Sequence, residues 1–272
     1  MNKNISKLLS PALAGVVKAP NEARAKADIK NCHYAGADMI DLHMSCLDNS
    51  DVEALRRIIN STRLPVLALN YNITHELKNA GFSEEERVAS FLRAAEAGAA
   101  GVDIQGYTYD IKSKTEFCGE DKYSFTKDNP REIVTDEGII SKQCELIERF
   151  HDMGTEVLLS CHPAVVMNAE QVVDLAMFLR KRNPDIIKIV TLAKTEEDCD
   201  ESIRAMTLLK RELDIPVAYH ATGKAGIKSR IINPLLGGHI AFCIERYDEA
   251  SDMNQIDLRT ARAMVDNARK LY

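Results

Sequence analysis

Tryptophan is absent from the 272-residue sequence, and aromatic residues make up only 6% of it. Positive charge is also scarce, because 35 lysines and arginines are outnumbered by 41 acidic residues, for a formal net charge of -6. Proteins that bind nucleic acids rely on basic surfaces and on aromatic side chains that stack on bases. We therefore expect no nucleic-acid partner, and the charge gives no support to binding at an anionic membrane surface.

Long apolar runs are missing as well. No run approaches the roughly 18 apolar residues that a membrane-spanning helix requires. The N-terminal segment MNKNISKLLS also has no apolar core of the length found in signal peptides. The sequence thus predicts a protein that has no membrane partner and is located in the cytoplasm.

The cysteines are scattered, odd in number and never arranged as Cys-x-x-Cys. Disulfide frameworks and zinc sites normally show paired spacings, so we predict reduced thiols and no metal site. The seven positions are Cys32, Cys46, Cys118, Cys144, Cys161, Cys199 and Cys243.

Apolar segments of strand length alternate with helical patterns along the whole chain. Residues with a capping preference precede several of the helices, as at Asn21, Asp51, Ser83 and Thr195. Such alternation is typical of parallel α/β sheets, and eight units in this length favour a (β/α)8 TIM barrel that forms a single domain over 1–272. An open, doubly wound sheet is the alternative, but no Gly-x-Gly-x-x-Gly follows the first strand. The predicted strands cover 13–17, 38–44, 65–71, 101–105, 156–161, 185–191, 215–220 and 239–244.

One connection between a predicted strand and the next helix is much longer than the others. Residues 106–133, after the fourth strand, are polar and include Tyr107, Tyr109, Tyr123 and Phe125. Loops of this length inside a compact domain usually carry a function. We predict that this insertion is a lid over the catalytic face of the barrel.

The sixth predicted strand, DIIKIVT at 185–191, carries a lysine between apolar residues. A buried ammonium group is costly unless it is paired, neutral or covalently engaged. Desolvation lowers the pKa of lysine, which is how imine-forming lysines become nucleophilic. Lys188 is therefore a candidate nucleophile for carbonyl chemistry; an edge-strand lysine or a buried ion-pair partner is the alternative.

His162 follows the fifth strand directly, one βα unit before Lys188. Because neighbouring strands are about 4.8 Å apart, the two side chains can meet at the carboxyl ends of the strands, where barrel active sites lie. A histidine there could move protons to and from the carbon next to an imine. Its structural alternative is a capping role in the turn.

Three motifs together resemble the type I 3-dehydroquinate dehydratase family: SCH at 160–162, DIIKIV at 185–190 and GKAGIKSR at 223–230. The resemblance implies that Lys188 forms the Schiff base and that His162 is the general acid and base. It also implies that the substrate carboxylate and hydroxyls are held by Arg230, Ser251 and Gln255. Asp41 falls where the family has a glutamate that binds ring hydroxyls. No cofactor is implied, since the lysine supplies the electron sink.

The strands that precede this region depart from the family. Arginines expected at the ends of the second and third strands are replaced by His43 and Tyr71, and Gln105 stands where an acid is usual in the fourth strand. A glutamate expected just after the third strand could be matched by His75 or Glu76. The imine residues are thus kept, while part of the predicted substrate-binding set is changed.

The resemblance therefore predicts dehydration of 3-dehydroquinate, or of a related polyhydroxylated cyclic keto acid, to the enone. It also implies a homodimer and a place in the shikimate pathway of aromatic amino acid biosynthesis or in quinate metabolism. Two alternatives remain open on the sequence: a Schiff-base aldolase of the same barrel class, and a catalytically reduced paralogue that binds a metabolite.

Overall fold

The structure, a computed structural model, describes residues 4–71, 83–115, 130–248 and 254–270. Its strands are β1 Ala12–Val17, β2 Met39–His43, β3 Val66–Leu69, β4 Gly101–Gln105, β5 Glu156–Cys161, β6 Ile186–Leu192, β7 Val217–Thr222 and β8 Ile240–Cys243. Its α-helices are α1 Glu22–Tyr34, α2 Val52–Ile59, α3 Glu84–Glu96, α4 Lys112–Thr115, α5 Glu137–Asp152, α6 Ala169–Arg180, α7 Glu196–Glu212, α8 Ser229–Leu235 and α9 Leu258–Arg269. Short 3-10 helices cover Ile5–Lys7, Met44–Cys46 and Gly226–Lys228.

The strands form one eight-stranded sheet in the order β7-β6-β5-β4-β3-β2-β1-β8. β1 pairs in parallel with β2 and β8, and β6 pairs in parallel with β5 and β7. Nearly every strand residue is buried, as expected for parallel strands covered on both faces. The predicted α/β class with parallel pairing is confirmed.

The chain divides into two compact units. The first contains residues 1–103, 150–156 and 240–272, and the second contains 104–149 and 157–239. The expectation of a single domain over 1–272 stays a prediction.

Helix starts follow the local sequence closely. Ser83 and Thr195 each form a capping box, in which the hydroxyl accepts from the third helical N–H and an acidic side chain accepts from the cap's own N–H. Asn21 and Asp51 cap α1 and α2 in the simpler one-sided way. These bonds satisfy backbone donors that would otherwise be orphaned, so the predicted boundaries hold.

β7 is shifted by two residues from the predicted 215–220. Pro216 has no N–H to donate, although its carbonyl still accepts from Ile187 at 3.1 Å, so the strand begins after it. At the other end Leu192 is paired with Thr222, and the strand stops at Gly223, whose φ is 89°.

Both ends of the 106–133 connection are anchored by a buried polar network. Gln143 donates to the carbonyls of Gly106 and Thr108 at 2.9 and 2.8 Å. Arg182, which is 1% exposed, donates to Gln143 Oε1 at 2.7 Å and to the carbonyl of Val134 at 2.9 Å. Residues 116–129 lie outside the described part of the chain, so the lid stays a prediction.

Within the described ranges, no helix is long and apolar enough to cross a membrane. The same residues contain no cluster of three or more histidine, cysteine or acidic side chains arranged to hold a metal ion. Six of the seven cysteines are described, and all six are free thiols.

Candidate active site

The two faces of β6 and β7 have different neighbours. Tyr219 and Thr191 share a hydrogen bond of 3.0 Å between their hydroxyl oxygens, and Tyr219 also bonds Ser202 of α7. This face therefore packs against helices. Lys188 has the opposite parity to Thr191 along β6 and so lies on the other face.

Lys188 is 6% exposed and is flanked by small side chains. In the sheet register it is partnered by Ser160 on β5 and by Ala218 on β7. Small neighbours on both sides leave lateral room beside the lysine chain. The position of Lys188 inside a buried parallel strand agrees with the prediction from its sequence.

His162 lies one residue beyond Cys161, which is paired with Ile189. Its backbone N–H donates to Glu132 Oε2 at 2.7 Å, and its ring Nδ1 lies 2.9 Å from the same oxygen. An ionised carboxylate only accepts, so this contact places a proton on Nδ1 and leaves Nε2 as the basic nitrogen of the neutral ring. The two contacts with Glu132 fix the orientation of the His162 ring.

Glu132 is held by its backbone in an unusual conformation. Its φ is 64°, a region that non-glycine residues seldom adopt. Its N–H donates to the carbonyl of Ser113 at 2.6 Å. Its own carbonyl lies so close to Gly106 that a Cβ there would approach it to 2.4 Å. The chain thus fixes the carboxylate tightly, although no sequence motif marks the residue.

Close backbone approaches and side-chain hydrogen bonds hold the GKAGIKSR segment at 223–230 in place. Gly223 has a φ of 89°, and a Cβ at Gly226 would lie 2.8 Å from the backbone of Ala221. Ser229 Oγ accepts from the N–H of Ala221 at 2.8 Å and donates to the carbonyl of Gly226 at 2.6 Å. These contacts fasten the start of α8 to the end of β7, and the next residue is Arg230.

Three predicted site residues meet around His220. The pKa of this histidine is lowered well below its ordinary value, first because the ring is buried and then because Arg230, Lys188 and His162 repel a proton on it. Such repulsion requires all three groups to lie close by. The second unit therefore brings Lys188, His162 and Arg230 together, with Glu132 and His220 as additional members that the sequence motifs did not mark.

A separate buried polar cluster lies in the first unit. His43 Nε2 is 3.4 Å from Asp41 Oδ2, and the ring of His43 meets that of Tyr71 edge-on at 6.4 Å between centroids. The Tyr71 hydroxyl donates to Asp103 Oδ2 at 3.3 Å. Three of the predicted substrate-binding residues, Asp41, His43 and Tyr71, are thus neighbours, with Asp103 as a fourth member.

Of the two C-terminal candidates, Ser251 and Gln255, only Gln255 is among the described residues. Gln255 is half-buried, and its backbone carbonyl accepts from the Tyr247 hydroxyl at 3.0 Å. Its side-chain oxygen is buried without a hydrogen-bond partner among the residues described. Ser251 lies outside those residues, as do His75 and Glu76, the two candidates for the glutamate after the third strand.

Parallel strands alternate with helices and carry a buried lysine on the sixth strand, which defines the chain as a (β/α)8 barrel with a polar site in its second unit. A sequence model of the family described as type I 3-dehydroquinase matches residues 132–271. The chain belongs to this family.

Individual proteins are similar to this chain in sequence or in fold. The 3-dehydroquinate dehydratase of Methanobrevibacter smithii is 21% identical over 238 residues, which are 87% of each chain. The solved 3-dehydroquinate dehydratase of Geobacillus kaustophilus superposes with a TM-score of 0.75 at 15% identity, covering 98% of both chains. The Clostridium difficile enzyme, solved with covalently modified comenic acid, gives a TM-score of 0.74 at 15% identity over 97% of this chain and 94% of that one. The fold is therefore the predicted (β/α)8 barrel.

Proposed function

We propose that this enzyme is a hydro-lyase that dehydrates 3-dehydroquinate, or a closely related polyhydroxylated cyclic keto acid, through an imine on Lys188. The observation that carries the proposal is the buried lysine of β6, flanked by Ser160 and Ala218, in the same unit as His162 with its Glu132 partner. Membership of the type I 3-dehydroquinase family points to the same reaction.

In the proposed mechanism, the neutral amine of Lys188 attacks the ketone carbon, and the resulting carbinolamine loses water to give the imine. His162 Nε2 then removes a proton from the adjacent carbon, and the electron pair moves onto the imine nitrogen as an enamine. The enamine expels the β-hydroxyl, which leaves as water with the proton from His162. Hydrolysis of the conjugated imine releases the enone and regenerates the lysine, and no step requires a cofactor.

The Glu132 carboxylate has a defined role in this sequence. While His162 carries the transferred proton, its ring is an imidazolium ion, and the carboxylate at 2.9 Å from Nδ1 stabilises that charge. The same contact fixes the ring orientation between the two proton transfers. We assign Glu132 as a positioning residue that acts through His162.

We further propose, on the family resemblance, that Arg230 binds the substrate carboxylate and that Ser251, Gln255 and Asp41 bind its hydroxyls. His43 and Tyr71 replace arginines of the family, and the Tyr71 hydroxyl is already engaged with Asp103. Tyrosine and histidine do not reproduce the bidentate bonds that arginine makes to a carboxylate. We therefore expect these two positions to change the choice among related keto acids. A cytoplasmic homodimer in the shikimate or quinate pathway belongs to the same proposal.

The decisive experiment is borohydride trapping with 3-dehydroquinate, followed by intact and peptide mass spectrometry. We expect a reduced adduct on Lys188 and, without borohydride, growth of the enone absorbance. Lys188→Met should abolish both signals, whereas Lys194→Met, which removes an exposed lysine just beyond β6, should leave both unchanged. An adduct without the enone would point to an aldolase or a binding protein, and a folded protein that forms no adduct would reject the proposal.

A further inference from the structure

His220 shares a face of the sheet with the imine-forming lysine. Lys188 is partnered by Ala218, and Val190 is partnered by His220. Residues two apart on a strand point to the same side, so His220 and Lys188 both face away from the Tyr219 and Thr191 side, where the helices pack. The histidine lies one strand over and two residues nearer the carboxyl end.

The imidazoles of His162 and His220 flank β6 from opposite sides. His162 follows β5, and His220 belongs to β7. Neighbouring strands are about 4.8 Å apart. Both histidines lie two residues further in the carboxyl direction than the strand partners of Lys188 do. A substrate carbon bonded to the Lys188 nitrogen would therefore extend towards both rings. His220 is thus placed to contact the same substrate atoms as His162 does in the proposed mechanism.

The ring of His220 has an unmet bonding capacity. The residue is only 8% exposed, yet neither ring nitrogen makes a hydrogen bond to any residue that the structure describes. Neither nitrogen belongs to the fully enclosed, unpartnered side-chain atoms of the described residues, so both remain accessible. A ring of this kind, facing the lysine, is explained if a bound molecule supplies the missing bonds.

The surrounding charges decide which bonds those are. Arg230, Lys188 and His162 all oppose a proton on His220, and burial opposes it further, so the pKa lies well below its ordinary value. The ring is therefore neutral at physiological pH and offers one N–H donor and one nitrogen acceptor. A carboxylate could use only the donor, whereas a hydroxyl group can satisfy either nitrogen.

We propose that His220 binds the substrate directly, as a neutral imidazole that hydrogen-bonds a hydroxyl on the ring attached to Lys188. It is then a specificity-determining residue, which selects hydroxylated rings without exchanging protons itself. This inference rests on the proposed function, because it assumes that a hydroxylated cyclic ketone forms the imine.

The kinetic test compares two substitutions at one position. His220→Leu removes both bonding groups at similar size, and kcat/KM for 3-dehydroquinate should fall about tenfold. His220→Gln keeps a neutral donor and acceptor and should retain most of the activity. Tyr219→Phe, on the opposite face of the same strand, is the matched control and should leave kcat/KM unchanged.

A second readout does not depend on the variants being active. In protein with 15N-labelled histidine, the ring signals of His220, assigned by their loss in His220→Gln, should report a neutral ring at pH 7. They should shift when 3-dehydroshikimate, the expected product, is added. A signal that does not move, or an unchanged kcat/KM in His220→Leu, would overturn the inference.

The two levels of the proposal can fail separately. If the wild-type protein forms no borohydride adduct with 3-dehydroquinate, the proposed function is wrong. If the wild type forms the adduct and turns over, but His220→Leu does so equally well, the imine mechanism stands and only the role of His220 is rejected.

Discussion

Replacing Glu132 by glutamine tests the contact that the sequence motifs did not mark. Glutamine has the same length and can still accept a hydrogen bond from the backbone N–H of His162, now 2.7 Å from Glu132. It removes the negative charge next to Nδ1 and can also turn its amide towards the ring, which would favour the wrong tautomer. The expected result is slower proton transfer with little change in substrate binding.

The size of the effect follows from the geometry. Glu132 is 12% exposed and His162 is 28% exposed at the side chain, so water screens their contact only in part. Hydrogen bonds to charged groups contribute roughly 1.5–3 kcal/mol. Since each 1.36 kcal/mol is a factor of ten in rate, kcat should fall about 10- to 150-fold.

The assay is the enone absorbance at saturating 3-dehydroquinate, together with thermal unfolding of each variant. Glu137→Gln makes the same change of charge at an exposed residue of α5 and should leave kcat unaltered. Borohydride should still label Lys188 in Glu132→Gln, because the nucleophile is untouched. A well-folded Glu132→Gln enzyme with kcat within about twofold of the wild type would refute the assignment of Glu132 as the partner of His162.

Two further predictions concern stability. In a double-mutant cycle measured by urea unfolding, Arg182→Met and Gln143→Leu should each lower the free energy of unfolding by roughly 2–3 kcal/mol. The double variant should lose less than the sum, because the two side chains bond each other. Strictly additive losses would contradict the shared network. Gly98→Ala should cost about 1–2 kcal/mol through its φ of 97° alone, because a Cβ there meets nothing within 4 Å. Gly223→Ala should lower the free energy of unfolding more than Gly98→Ala does, because its Cβ would lie 2.6 Å from the carbonyl oxygen of Ala193. Equal losses in the two variants would show that the backbone around Gly223 shifts to relieve this contact.

The fold was predictable because its determinants are local. Strand length, apolar composition and capping residues such as Ser83 act within a few positions of each other. The errors lie where a neighbouring strand or a single residue decides the boundary. β7 begins after Pro216 and extends to Thr222 because its partner β6 extends to Leu192, and neither fact can be read from the apolar run by itself.

The candidate site was predictable only in part. Lys188 and His162 stand out because each is a polar residue within or directly after an apolar strand. Glu132 is an ordinary acid in a polar loop, and its importance depends on a contact across 30 residues and on a backbone turn fixed by Gly106. The resemblance led instead to His75 or Glu76 after the third strand, and both lie outside the described residues.

The two histidines near Lys188 cannot be distinguished by residue type, yet their surroundings differ. His162 contacts the Glu132 carboxylate, whereas His220 is buried and has Arg230 and Lys188 nearby, which oppose a proton on its ring. Groups whose environments separate their charge states in this way usually divide the work of a site. Our proposal therefore assigns proton transfer to His162, whose ring Nδ1 lies beside the Glu132 carboxylate. A ring that stays neutral throughout the cycle is suited to holding a hydroxyl, and that is the task we assign to His220.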